Sequence, residues 1–93
     1  MIYRVMISAK AEKQIDRIPD HISANLSSWV DDVRKNGLEE VRKRLSYHDE
    51  PLQGKRRGQR SIRLNRSYRA IYEIRKDGVI EFVSIEEVSK HDY

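Results

Sequence analysis

Between Lys55 and Arg69 the chain carries seven basic residues and no acidic one: Lys55, Arg56, Arg57, Arg60, Arg63, Arg66 and Arg69. Its last three residues are His91-Asp92-Tyr93. A guanidinium is a planar, bidentate phosphate donor, and an imidazole titrates close to neutral pH. A cationic strand surface that ends in a His and a Tyr has the parts to hold RNA and to cut it. Elsewhere Lys and Arg are mixed with acids, as in Glu39-Glu40-Val41-Arg42-Lys43, the pattern of an ordinary solvated helix face.

Positioning such groups requires a fold, and 93 residues suffice for a single domain, residues 1–93, with a modest core. With 38% hydrophobic and 37% charged residues the chain is too apolar and too periodic for disorder. It has no cysteine, which excludes a disulfide framework and cysteine-based zinc sites and fits a reducing compartment. The three histidines lie at no metal-ligand spacing, so neither a metal nor another cofactor is expected. No apolar run reaches the ~18 residues of a membrane span. The start, Met1-Ile2-Tyr3-Arg4-Val5, reads as a strand and not as a signal peptide, so a cytoplasmic location is expected. The net charge of +4 is a weaker pointer to a polyanion than the clustering of the cations.

Residues 2–7 alternate as a strand. Ser8 can cap a helix to about Arg17, ended by Pro19. Asp20 or Ser23 can cap a second helix, whose stripe of Ile22, Leu26, Trp29, Val30 and Val33 falls on one face. Asn36-Gly37 stops it, and Leu38, Val41 and Leu45 continue a helical spacing, as a third short helix or a bent extension. Residues 46–59 read as a loop. Three strand patterns follow: one around residues 61–65, one from about Tyr68 to Ile74, and one from about Val79 to Ile85, the last two joined at Asp77-Gly78. The expected fold is α+β: an N-terminal strand, two to three helices, then a three-stranded antiparallel meander, with the helices on one face of a four-stranded sheet. Alternation sets Arg63 opposite Ile62 and Leu64, on the open face. Arg69 shares its side with Ile71 and Glu73, against the more apolar set Tyr68, Ala70, Tyr72 and Ile74. Trp29 and Tyr3 read as core, and His21 and His48 as surface residues.

Four segments carry a resemblance: Glu50-Pro51-Leu52-Gln53-Gly54, then Gly58-Gln59-Arg60-Ser61-Ile62-Arg63-Leu64, then Tyr68-Arg69-Ala70-Ile71-Tyr72, then the terminal His-x-Tyr. Their order and spacing resemble the RelE/ParE superfamily of bacterial toxins, most closely its YoeB and HigB branches. The resemblance covers the whole chain in element order, and its specific part is residues 50–93. It implies the toxin of a type II toxin–antitoxin pair. Most RelE-, YoeB- and HigB-like members are ribosome-dependent endoribonucleases that cleave mRNA in the ribosomal A site without a metal. ParE-like members poison DNA gyrase and lack the cleavage residues. The implied partners are an antitoxin, the 70S ribosome with its mRNA and rRNA, and no membrane. Binding of operator DNA by the toxin–antitoxin complex, through the antitoxin, stays open.

Metal-free RNA cleavage needs a base for the 2′-OH, stabilisation of the phosphorane and an acid for the 5′-oxygen. By the resemblance, Glu50 matches the catalytic carboxylate of YoeB and Arg69 the family's phosphate-stabilising arginine. Arg63 matches a basic residue gripping a flanking phosphate. The alternative for Arg69 is an ion pair with Glu73 or Glu81. His91 is the candidate general acid, and Tyr93 could stack on a base or orient phosphate. The nearest family pattern ends in adjacent His and Tyr. Here Asp92 intervenes and inverts which side chain points inward along an extended chain, so either His91 or Tyr93 could be the acid. Lys55, Arg56, Arg57 and Arg60 are expected to supply backbone affinity for RNA.

Overall fold

The computed structural model describes residues 1–90. Strand β1 (Val5–Ile7) leads into α1 (Ala9–Ile15), α2 (Asp20–Asn36) and α3 (Leu38–Arg42). A 3-10 turn at Leu45–Tyr47 precedes β2 (Glu50–Pro51), and another at Gly54–Arg56 precedes β3 (Gln59–Arg63). Strands β4 (Tyr68–Asp77) and β5 (Ile80–Lys90) complete one sheet in the order β1-β5-β4-β3-β2. The α+β class and the antiparallel meander β3-β4-β5 agree with the sequence reading. Strand β1 pairs with β5 in parallel. The sheet has five strands instead of four, because Glu50 and Pro51, expected in a loop, pair with Ser61 and Arg60. Two residues carry no readable period, and a proline is tolerated there because β2 is an edge.

Local chemistry accounts for the helical layer. Ser8 is extended and its Oγ accepts the amide of Ala11 at 3.1 Å, capping α1. Helix α2 begins at Asp20 with Pro19 as its capping residue, and its expected stripe is buried throughout. Gly37 adopts φ +87°, which breaks the chain between α2 and α3. The amide of Leu38 then donates to the carbonyl of Ile2 at 2.8 Å, tying the joint to the N-terminal segment. Tyr3 lies beside Gly37 and is 43% exposed, so it is not a core residue as expected. It precedes β1, outside the sheet register that would have turned it inward.

The core lies between α2 and the helix-facing side of the sheet. Ile22, Leu26, Trp29 and Val33 meet Ile62, Ala70, Tyr72, Val83, Ile85 and Val88. The Trp29 and Tyr72 rings sit 5.2 Å apart at 43°, a tilted geometry that the ring quadrupoles favour. Beneath β2 the Asp49 carboxylate, fully buried, accepts from Arg60 Nε at 2.5 Å and from the Tyr72 hydroxyl at 2.5 Å. Burial and that acceptor raise the Tyr72 phenol well above its ordinary range, so it stays a donor. The network ties the segment entering β2 to both β3 and β4.

Removing the shared acceptor strands two donors. Asp49→Ala is expected to cost about 3 kcal/mol, a drop of more than 10 °C in Tm at roughly 4–8 °C per kcal/mol. Tyr72→Phe leaves the Asp49–Arg60 pair intact and should cost only about 1 kcal/mol. Thermal melts of both variants check the ranking.

Candidate functional site

Pairing register decides which side chains share the second face of the sheet. Arg63 lies directly opposite Arg69, while Ser61 stands opposite both Glu50 and Ile71. These residues therefore point away from the helices, where the alternation placed Arg63 and Arg69. Neighbouring Ile62 and Leu64 are buried on the helix side. A cleft of about 100 Å³ opens at this end of the face. Its walls come from Glu50 of β2, Ser61 and Arg63 of β3, and Arg69 of β4, with His48, Asn65, Arg66 and Tyr68.

The turn joining β3 and β4 is built by Asn65, whose Oδ1 accepts the amides of Ser67 and Tyr68, each at 2.8 Å. Asn favours this local turn, and it presents Arg66 at the mouth of the cleft. Asn25 of α2 fixes the same corner by donating to the Leu64 carbonyl at 2.8 Å.

Two guanidiniums directly across a strand pair repel one another. Neither Arg63 nor Arg69 makes an ion pair among the described residues, and the buried Nε of Arg69 has no acceptor. The alternative partners for Arg69 are engaged or misplaced: Glu73 accepts Arg75 at 2.7 Å, and Glu81 is paired with Lys76 at the far end of the hairpin. An unmet donor beside a second cation is a site short of an anion. The Glu50 carboxylate, at the cleft's edge, makes no ion pair among the described residues either.

The rest of the basic run does not act as one surface. Arg60, expected to contact RNA, emerges on the helix side and is committed to Asp49. Arg56 folds back over β4 and joins Gln59 of β3 to Glu87 of β5, at 3.3 and 3.1 Å. Ile71, opposite Ser61 on the face expected to be open, is fully buried. Lys55 and Arg57 are exposed and make no ion pair among the described residues. His91 and Tyr93 lie outside the described residues. His48, read from sequence as a surface residue, is one of the cleft's walls. Its only sequence signal was nearness to Glu50.

Residues 5–90 match the family model described as the ParE toxin of type II toxin–antitoxin system, parDE. The chain belongs to this toxin family. Similar folds recur among solved structures. The YoeB/ParE toxin from Agrobacterium tumefaciens superposes with a TM-score of 0.72 at 13% identity, covering 96% of this chain and 99% of that one. The toxin–antitoxin complex RelBE2 from Mycobacterium tuberculosis gives 0.69 at 23% identity, over 98% and 100% of the two chains. YafQ from E. coli gives 0.71 at 19% identity, over 94% and 91%. Among curated protein sequences there is no match. The RelE/ParE resemblance read from residues 50–93 thus agrees with both the family and the fold. No helix among the described residues is long and apolar enough to cross a membrane, and no group of three or more His or acidic residues among them could hold a metal ion.

One electrostatic feature of the toxin lies on the same face of the sheet, outside the cleft. Between Ile71 and Tyr72 the β4–β5 register shifts, and Glu86 is the extra residue on β5. Both Glu86 and Glu87 consequently reach cations of the site face, Arg75 and Arg56 respectively. Burial pushes the Glu87 carboxyl upward, but hydrogen bonds from Lys10, Arg56 and Ser89 outweigh it and hold the group at about 2. A carboxyl depressed from 4.5 stabilises the fold fully above that value and loses its contribution as pH falls toward 2. Acid unfolding of the toxin should therefore steepen between about pH 4.5 and 2. Glu87→Gln should flatten that limb in a stability titration while lowering the plateau at neutral pH.

Proposed function

We propose that this toxin is a metal-independent endoribonuclease that cleaves mRNA in the ribosomal A site. The observation that carries the reading is the Arg63–Arg69 pair beside Glu50, a cationic cleft short of an anion with a free carboxylate at its edge. The RelE/ParE resemblance, with Glu50 before Pro51-Leu52 and Arg69 after Tyr68, supports it. In this reading the Glu50 carboxylate takes the proton of a ribose 2′-OH. The 2′-oxygen attacks the adjacent phosphorus, the P–O5′ bond breaks, and the products are a 2′,3′-cyclic phosphate and a 5′-OH. Arg69 meets the charge that grows on the non-bridging oxygens, where a fixed guanidinium acts most strongly. Arg63 holds a flanking phosphate, and exposed Lys55 and Arg57 add backbone affinity for mRNA or rRNA. A cognate antitoxin is the expected protein partner, the cytoplasm the expected location, and no cofactor is required.

A second reading is supported by the family model itself, whose description is that of ParE toxins. A ParE-like protein would inhibit DNA gyrase as a binding module, without cleavage. It gives no role to the Glu50 and Arg69 constellation.

Primer extension on a defined mRNA programmed into ribosomes separates the two. Wild-type toxin should cut inside A-site codons, and Arg69→Ala should lower the rate by about 100-fold or more with little change in Tm. Arg69→Lys should recover only part, because an ammonium lacks the planar fork. Absence of cleavage by folded wild type, with loss of supercoiling by purified gyrase, would instead favour the ParE-like reading.

A further inference from the structure

Metal-free transesterification needs a proton donor for the departing 5′-oxygen as well as a base. We propose that His48 is that donor, an inference that rests on the endoribonuclease reading above. His48 lines the same cleft as Glu50, Arg63 and Arg69. Strand β2 pairs Glu50 with Ser61 and Pro51 with Arg60, and His48 stands two residues before it, at the end of the 3-10 turn Leu45–Tyr47. His48 and Glu50 thus reach the cleft beside the arginine pair from the same edge of the sheet.

The backbone fixes this placement. His48 sits at φ +47°, ψ +47°, the sole non-glycine with positive φ among the described residues. That conformation is uncommon for a side chain with a Cβ, although His adopts it more readily than most. Two anchors hold it. Upstream, Arg44 grips Asp32 of α2 through two bonds of 2.6 and 2.9 Å, and the Tyr47 hydroxyl donates to the same carboxylate at 3.3 Å. Downstream, Asp49 is locked to Arg60 and Tyr72. A residue held between two such anchors keeps its side chain over the cleft. The cleft's other walls are all polar or charged: Glu50 from β2, Ser61 and Arg63 from β3, Asn65 and Arg66 from the turn, Tyr68 and Arg69 from β4. His21, at the start of α2, lines no part of the cleft.

The step balances as follows. The 2′-OH proton passes to the Glu50 carboxylate and the O2′–P bond forms. The P–O5′ bond breaks and the His48 imidazolium gives its proton to O5′. Neutral His48 and protonated Glu50 then exchange protons with water.

The test uses purified full-length toxin, programmed ribosomes and single-turnover cleavage of two mRNAs. One is natural; the other carries a bridging 5′-sulfur at the scissile phosphate, a leaving group that needs no proton. His48→Asn is the informative variant, because Asn also tolerates the left-handed backbone, and His91→Asn serves as comparison. His48→Asn should cut the natural mRNA about 100-fold more slowly and the sulfur-substituted mRNA at close to the wild-type rate. Equal rates for His48→Asn and wild type on natural mRNA, a deficit on both substrates, or rescue confined to His91→Asn overturns the proposal while leaving the nuclease reading intact. Wild type that cuts neither mRNA removes the nuclease reading and the role of His48 with it.

Discussion

The register between β3 and β4 is the constraint on which both the core and the cleft depend. It sets Ile62 beside Ala70 on the helix side and, one residue on, Arg63 beside Arg69 on the other. Each buried aliphatic side chain contributes about 1.5–3 kcal/mol, whereas two like charges facing across a strand pair cost about 0.2–1 kcal/mol. Burial therefore wins, and the fold holds together two guanidiniums that would otherwise separate. A slip of one residue would expose Ile62 and bury the arginines, so the charge pair cannot relax without losing the core.

Around that pair several other cations are met by acids of the same sheet. Asp49 takes Arg60 on one face of the sheet, and Glu87 takes Arg56 on the other. Glu73 and Glu86 share Arg75. What remains of the basic run, beside the exposed Lys55 and Arg57, is a short, strongly positive cleft. Under the proposed endoribonuclease reading this concentration is useful, because the site must then tell a phosphate in one position from a polyanion in general. Diffuse charge raises affinity everywhere along a backbone, while an unmet donor at a fixed point rewards a single anion placed there.

Rigidity at the rim of the cleft comes from buried polar bonds. Glu50 follows Asp49, whose carboxylate is bonded to two strands from beneath, and His48 precedes it. The two-residue strand β2 is too short to hold itself in place by pairing alone. Its position is set by a side chain that points away from the cleft, into the layer between sheet and helices. The same segment is tied to α2 through Arg44, Tyr47 and Asp32, whose carboxyl is held below its ordinary range chiefly by the Arg44 hydrogen bond.

The sequence by itself determined the order of the first strand, the helices and the meander, the stripe of α2, the alternation that separates Arg63 and Arg69 from Ile62 and Ala70, and the family. These depend on local period and on short motifs, which a linear chain records directly. Only the tertiary structure decided how the basic run divides, because the partners of Arg56 and Arg60 lie 31 and 11 residues away and nothing local marks them. It also decided that Ile71 is covered, that β5 carries an extra residue at Glu86, that Glu50 lies on a fifth strand, and that His48 belongs to the cleft. Each of these follows from strand register or from one buried carboxylate meeting two strands, and such long-range pairings leave no period in the sequence to read.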